Sequence, residues 1–170
     1  KDEFKDMSAG PTSVLIFAIA PGHNGIVKLL LERGADVHWA RLHDGAAPAY
    51  VAALKGHLEV VRLLAELGAN VKTPDHNGAT PVYMAAGQGH AEAVRLLAQR
   101  GASVKTPKND GSKPMRAAAR IGHVKVIRLL ASLDSEARVS TDGGGETPVR
   151  LAMANGRLLA TPTRLLLGAP

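Results

Sequence analysis

The chain repeats itself. Gly-His pairs stand at Gly22-His23, Gly56-His57, Gly89-His90 and Gly122-His123, spaced 34, 33 and 33 residues apart, and Gly156-Arg157 follows 34 later. Pro48, Pro81, Pro114 and Pro148 keep the same step, as do the Leu pairs at 29–30, 63–64, 96–97 and 129–130. With a fixed period of this length, each unit is one supersecondary element that buries its apolar face only against its neighbours. The 170 residues are therefore directed into a stacked array, whose core runs along the stack.

Each unit reads as two helices. The first begins at Ala-Pro, Thr-Pro or Lys-Pro, and Pro is well tolerated at the first helical position. Thr80 and Thr147 are suited to N-capping, because a hydroxyl accepts an orphan backbone N–H. Small residues follow (Ala52-Ala53, Ala85-Ala86, Ala118-Ala119), which let a neighbouring helix approach closely. The second helix starts after the His. In residues 58–64, Leu58, Val61 and Leu64 mark one apolar face, widened by Val60 and Leu63. It stops at Gly34, Gly68 or Gly101, where a left-handed C-cap needs no Cβ. The polar stretch after it, such as residues 70–78, is rich in turn formers and reads as a tight, hairpin-like excursion.

Composition agrees with helices. Apolar residues make up 45% of the chain but aromatics only 3%, so Ala, Leu and Val dominate, a mixture that suits close helix packing better than a β-sandwich. No cysteine is present, which excludes disulfides and thiolate metal sites and favours an intracellular setting. The apolar run Val14–Ala20 is too short to span a bilayer. Its Ala18-Ile19-Ala20 end faintly resembles a signal-peptidase site, but the Lys1–Asp6 flank lacks the positive excess a signal peptide needs. No membrane association is expected.

The pattern Thr-Pro-x-x-x-Ala-Ala-x-x-Gly-His, then Val-Arg-Leu-Leu-Ala-x-x-Gly-Ala, resembles the ankyrin repeat over nearly the whole chain. The resemblance implies an all-α solenoid of about five units, each a β-turn or hairpin loop and two antiparallel helices, at about 11–43, 44–76, 77–109, 110–143 and 144–170, with residues 1–10 as an N-terminal extension or cap. Departures are visible. The family usually has His two residues after the Thr-Pro proline, where this chain has Tyr50, Tyr83, Arg116 and Arg150. Ala47 and Lys113 replace the capping Thr, at about 1 kcal/mol per lost cap. Repeat 1 opens with Val14-Leu15-Ile16-Phe17, apolar all round, so it needs cover, for which Phe4 and Met7 are candidates. Pro162 falls inside the second helix of repeat 5, which is expected to start late or kink.

No catalytic constellation emerges, and no cofactor or metal is expected. His23, His57, His90 and His123 recur one per repeat. Stacked helices lie about 8–10 Å apart, too far for successive ring nitrogens to share one ion at bonds of about 2.0–2.1 Å. A structural role is expected instead: closing the turn between the two helices. Gly143-Gly144-Gly145 lacks the Gly-Lys-Ser/Thr of a phosphate loop. The Thr-Pro pairs read as helix starts rather than modification sites. Lys28, Arg62, Arg95 and Arg128 form a solvent-facing column beside Glu32, Glu59, Glu66 and Glu92.

The chain is thus expected to be a non-catalytic protein-interaction scaffold, acting as a monomer on another protein. Positions that vary between the repeats are free for recognition, and the resemblance implies that they line a concave groove. They are Trp39, Arg41, His43, Leu54, Lys55, His76, Gln88, Lys108, Arg120 and Ile121, with Ala46, Asn77, Gly87, Asn109, Asp110, Ser112, Asp142, Glu146 and Asn155 beside them. Trp39 is the leading anchor, because Trp and Arg dominate binding hot spots; its competing role is packing against repeat 2.

Charge supplies the alternative. Residues 1–100 hold 10 Lys+Arg and 10 Asp+Glu, whereas residues 101–170 hold 11 and 5, so the net +6 lies entirely in the C-terminal part. Lys105, Lys108, Lys113, Arg116, Arg120 and Lys125 could bind a polyanion. Nucleic acid is disfavoured, since no aromatics interleave them for base stacking.

Overall fold

The computed structural model describes residues 11–134 and Arg150. Among residues 11–134, eight helices form four pairs: α1 (Pro11–Ile19) with α2 (Asn24–Glu32), α3 (Pro48–Lys55) with α4 (Leu58–Glu66), α5 (Pro81–Gly87) with α6 (Ala91–Gln99), and α7 (Pro114–Ile121) with α8 (Val124–Leu133). No strand occurs among the described residues. First helices pack on first helices (α1 on α3, α3 on α5, α5 on α7), and second helices on second helices (α2 on α4, α4 on α6, α6 on α8). The result is a two-layered stack with one continuous core. The expected fifth unit, its Thr147 cap and Pro162 lie outside the described residues except for Arg150, as do Phe4 and Met7.

Helices of seven to ten residues are too short to persist alone, so packing holds them. Val60, Val61 and Leu64 of α4 are buried, as are Val94 and Leu97 of α6 and Val126, Ile127 and Leu130 of α8. Full burial of each such side chain is worth about 1.5–3 kcal/mol. Leu58 and Leu63 are only partly buried, so the inner face of α4 is narrower than its apolar sequence suggests. In the first pair, Leu15 and Ile16 are buried while Val14, Phe17, Ile26 and Leu29 are exposed.

The helix ends follow local chemistry. Ala47, Thr80 and Lys113 share an extended N-cap backbone, but only Thr80 caps, its Oγ1 accepting the N–H of Tyr83 at 3.2 Å. Gly34, Gly68 and Gly101 follow the second helices with φ of 82°, 83° and 79°, the left-handed conformation that other residues adopt at a cost.

The histidines act between repeats as well as at their own turns. None of the four caps its helix with its side chain. The His57 ring instead reaches back to the Ala20 carbonyl, Nε2 to O 3.5 Å, and His123 to the Gly87 carbonyl at 3.1 Å. A carbonyl only accepts, so Nε2 carries the proton in both. The glycine of one repeat leaves room for the histidine of the next: a Cβ on Gly22, Gly56 or Gly89 would lie 2.7, 2.5 or 2.6 Å from the rings of His57, His90 or His123. Gly-His is therefore a pair whose two halves work in different interfaces.

Candidate binding groove

The excursions between pairs are closed turns that project beside the first helices. Arg41 N–H donates to the Ala46 carbonyl at 3.1 Å, Asp75 to Ala79 at 3.0 Å and Lys108 to Ser112 at 3.0 Å. Arg41, Asp75 and Lys108 thus hold one equivalent slot. Successive tips are also laddered together: His76 N–H donates to the Asp44 carbonyl at 2.8 Å and Asn109 N–H to the Asn77 carbonyl at 2.9 Å. The ladder is tight, since a Cβ on Gly45 would meet the His76 ring and one on Gly78 would meet Asn109. The tips and the first helices α3, α5 and α7, tied by Tyr50 to Asp75 and by Tyr83 to Ser112, are the candidate groove.

Its repeat 2 end is internally satisfied. Arg41 forms a two-point pair with Asp44, Nε to Oδ1 3.2 Å and Nη2 to Oδ2. His43 Nε2 lies 3.5 Å from the same carboxylate. Ala46 N–H donates to Asp44 Oδ1 at 3.0 Å. Tyr50 stands where the family's His is expected, and its Oη donates to Asp75 Oδ2 at 3.0 Å, while Asp75 Oδ1 accepts from Asn77 and Ala79 N–H. Tyr50 is buried. Burial, then the hydrogen bond to Asp75, push its phenol pKa well above the ordinary value.

The repeat 4 end differs. A cavity of about 400 Å³ lies there, lined by Tyr83 of α5, by Lys108, Asp110 and Ser112 of the tip, and by Arg116 and Arg120 of α7, with Ala117 also in its wall. Tyr83 Oη donates to Ser112 Oγ at 3.2 Å, and Lys108 Nζ sits 5.9 Å from the Tyr83 ring centroid. Lys108 Nζ also pairs with Asp110 Oδ2 at 3.0 Å. That hydrogen bond raises the Lys108 pKa, and the Ser112 N–H, then Lys108, lower that of Asp110.

The structure separates the expected groove residues into two groups. His43, Lys55, His76, Gln88, Arg120 and Ile121 are exposed. Trp39 and Leu54 are half-buried against the core, and Arg41 and Lys108 are half-buried within their ion pairs. Ala46 is fully buried and presents nothing to a partner. His76 is exposed, yet its backbone and ring both belong to the tip ladder. Asp142, Glu146 and Asn155 lie outside the described residues.

The basic cluster divides. Lys108, Arg116 and Arg120 share the cavity, Lys105 Nζ lies 3.1 Å from the buried carboxylate of Asp134, and Lys125 is on α8 among the second helices. Tyr83 as a cavity wall, and Asp75 as the acceptor for Tyr50, were missed in the sequence. The signal available was the change from Tyr50 and Tyr83 to Arg116 at one slot.

A second cavity of about 460 Å³, lined by Pro74, Thr80, Ala102, Thr106 and Pro107 among others, contains none of the expected residues. Among the described residues, no group of three or more His, Asp or Glu could hold a metal ion, and no helix is long and apolar enough to cross a membrane.

The solvent column pairs locally: Lys28 with Glu32 at 4.0 Å, Arg62 with Glu59 at 3.5 Å and Arg95 with Glu92 at 3.5 Å. Glu66 takes Arg100 of the next repeat instead, at 3.8 Å.

Comparison with known proteins agrees with this geometry. A family model described as ankyrin repeats (3 copies) matches residues 15–108, which reach from α1 to the tip before α7; the α7–α8 pair continues the same stack beyond the match. Over 66 residues the chain is 47% identical to E3 ubiquitin-protein ligase XBAT33 of Arabidopsis thaliana, and 46% identical to probable E3 ubiquitin-protein ligase XBOS33 of Oryza sativa subsp. japonica. Each match covers 39% of this chain but only 13% and 12% of those proteins. Ankyrin repeats are in general protein-interaction modules and their fold is typically non-catalytic. With the 33-residue period, the paired helices and a family match over more than half its length, the chain belongs to the ankyrin-repeat family.

Proposed function

We propose that the chain is a non-catalytic scaffold, monomeric, that holds a segment of another protein across its concave face, along the tips and first helices. The division of labour between positions carries this reading. The recurring residues are consumed by stacking: the Gly-His pairs join repeats, the Leu and Val positions fill the core. Most of the varying residues remain accessible, as His43, Lys55, Gln88, Arg120 and Ile121 do. Trp39 and Arg41 are each half-buried at one end, which lowers the ordering cost of binding there.

A nuclease-treated pull-down from lysate, comparing the native chain with a Trp39→Ala/Arg41→Ala variant, tests the face. Loss of a captured protein in the variant is the expected result. Equal capture by both would remove the repeat 2 end from the binding surface. The polyanion alternative draws support from the cations at the repeat 4 cavity, but among the described residues the basic cluster is divided between that cavity, Asp134 and α8, which suits phosphate tracking poorly.

A further inference from the structure

One short sequence occurs twice, in two different settings. His23-Asn24-Gly25 and His76-Asn77-Gly78 share a histidine before the Asn-Gly pair and an aliphatic residue after it, Ile26 and Ala79. In Asn-Gly the backbone nitrogen of the glycine can attack the asparagine side chain, because no Cβ shields that nitrogen or restricts its backbone. The neighbours in sequence are alike, so a difference in reactivity is set by the fold.

Asn24 opens α2. Moving it strains the bond from the Val27 N–H to the His23 carbonyl, 2.9 Å long, which seats the fully buried Val27. Asn77 stands on the tip between α4 and α5 and is exposed. Gly78 follows with φ of 77°, its N–H donating to the Asp75 carbonyl at 3.0 Å. Opening that turn moves Asp75, His76, Asn77 and Gly78, none of them apolar core residues, and surface turns are where local opening costs least.

We propose that Asn77 is a site of spontaneous deamidation in the folded protein, and that the reaction breaks a rung of the tip ladder. The Gly78 nitrogen loses its proton to solvent and attacks Asn77 Cγ. The N–Cγ bond forms, the Cγ–Nδ2 bond breaks and ammonia leaves. Water then opens the cyclic imide at either carbonyl, giving aspartate or isoaspartate, and nothing is oxidised or reduced. In isoaspartate the chain runs through Cβ and Cγ, and the former main-chain carbonyl becomes a free carboxylate. That carbonyl is the one that accepts the Asn109 N–H at 2.9 Å. The site is also crowded, since a Cβ on Gly78 would lie 2.9 Å from the Asn109 nitrogen, so a lengthened backbone cannot be absorbed in place.

Incubation of the full chain at mildly alkaline pH, followed by peptide mapping that resolves aspartate from isoaspartate, tests the site. Asn77 should convert about tenfold or more faster than Asn24, the factor expected from keeping Val27 buried. In urea the two rates should converge; rates that stay apart there would overturn the structural cause. Amide exchange at Asn109 should accelerate in the isoaspartate fraction and keep its native rate in Asn77→Asp, which carries the charge on an unaltered backbone. Equal conversion of Asn24 and Asn77 in the folded chain, or none at Asn77, overturns the site. Native exchange at Asn109 in the isoaspartate fraction overturns the broken rung.

Discussion

The tyrosine end and the arginine end of the groove share one scaffold and differ in which side chains hold the same slots. Tyr50 donates its hydroxyl hydrogen bond to Asp75, which also accepts from two backbone N–H groups, so the first helix of one repeat is tied to the tip of the next. Tyr83 makes the corresponding tie to Ser112, a neutral partner, because Lys108 has taken the place of an acid. At the next first helix the tyrosine itself is replaced by Arg116. The same slots thus shift from structural closure to cavity wall.

The comparison fails first if the frame is not shared, and that test carries the largest effect. Gly89→Ala is expected to cost about 2–4 kcal/mol, combining a left-handed alanine with a clash against the His123 ring. Gly68→Ala meets open space and should cost about 1–2 kcal/mol from backbone conformation alone. Urea unfolding measures both. Equal costs would mean that the His-on-Gly contact contributes nothing.

The next test separates the two tyrosines. Tyr50→Phe removes a hydrogen bond to a carboxylate and should lose about 1.5–3 kcal/mol, whereas Tyr83→Phe removes a neutral one and should lose about 0.5–1.5 kcal/mol. A reversed order of midpoints would break the assignment of Tyr50 as the stronger tie. The same residue makes an alkaline prediction. Its folded pKa is raised, so its contribution to stability is complete below the unfolded value of about 10 and falls as pH rises above that. Tyr50→Phe should therefore flatten the loss of stability above that pH, followed by denaturant midpoints.

Capping gives a smaller contrast. Thr80→Ala should destabilise by about 1 kcal/mol, and Lys113→Thr should gain up to a similar amount, because its backbone already has the capping geometry. Thermal melts decide it; no gain at 113 would show that the arginine end constrains its N-cap in some further way. The smallest effect belongs to the exposed column, where Arg62→Gln should change stability by about 0–1 kcal/mol. A larger loss would assign the column a packing role through its aliphatic stems.

Much of this architecture was legible from spacing. The period, the helix starts at proline, the capping Thr80 and the left-handed glycines after the second helices follow from rules that act within a few residues. The departure at Tyr50 was also legible as a lost histidine. Its replacement was not, because Asp75 lies 25 residues away and nothing local marks it as the acceptor. The histidine ladder was half legible for the same reason: recurrence next to the inter-helix turn gave the turn-closing role, which the backbone N–H groups fill, while the ring's partner is a carbonyl 37 residues back in the case of His57. Trp39 showed the limit of composition, since a lone tryptophan in a loop reads as anchor or as packing alike, and its half-burial against the core is set by the tertiary structure.

What the sequence alone determined was the repeat unit and its succession, because periodicity, capping and backbone freedom are local properties that survive in any array of such units. What only the tertiary structure decided was which residues each repeat lends to its neighbour and which it leaves for a partner. Those contacts join positions about one period apart, and stacking brings them within hydrogen-bond distance only after every helix has found its place.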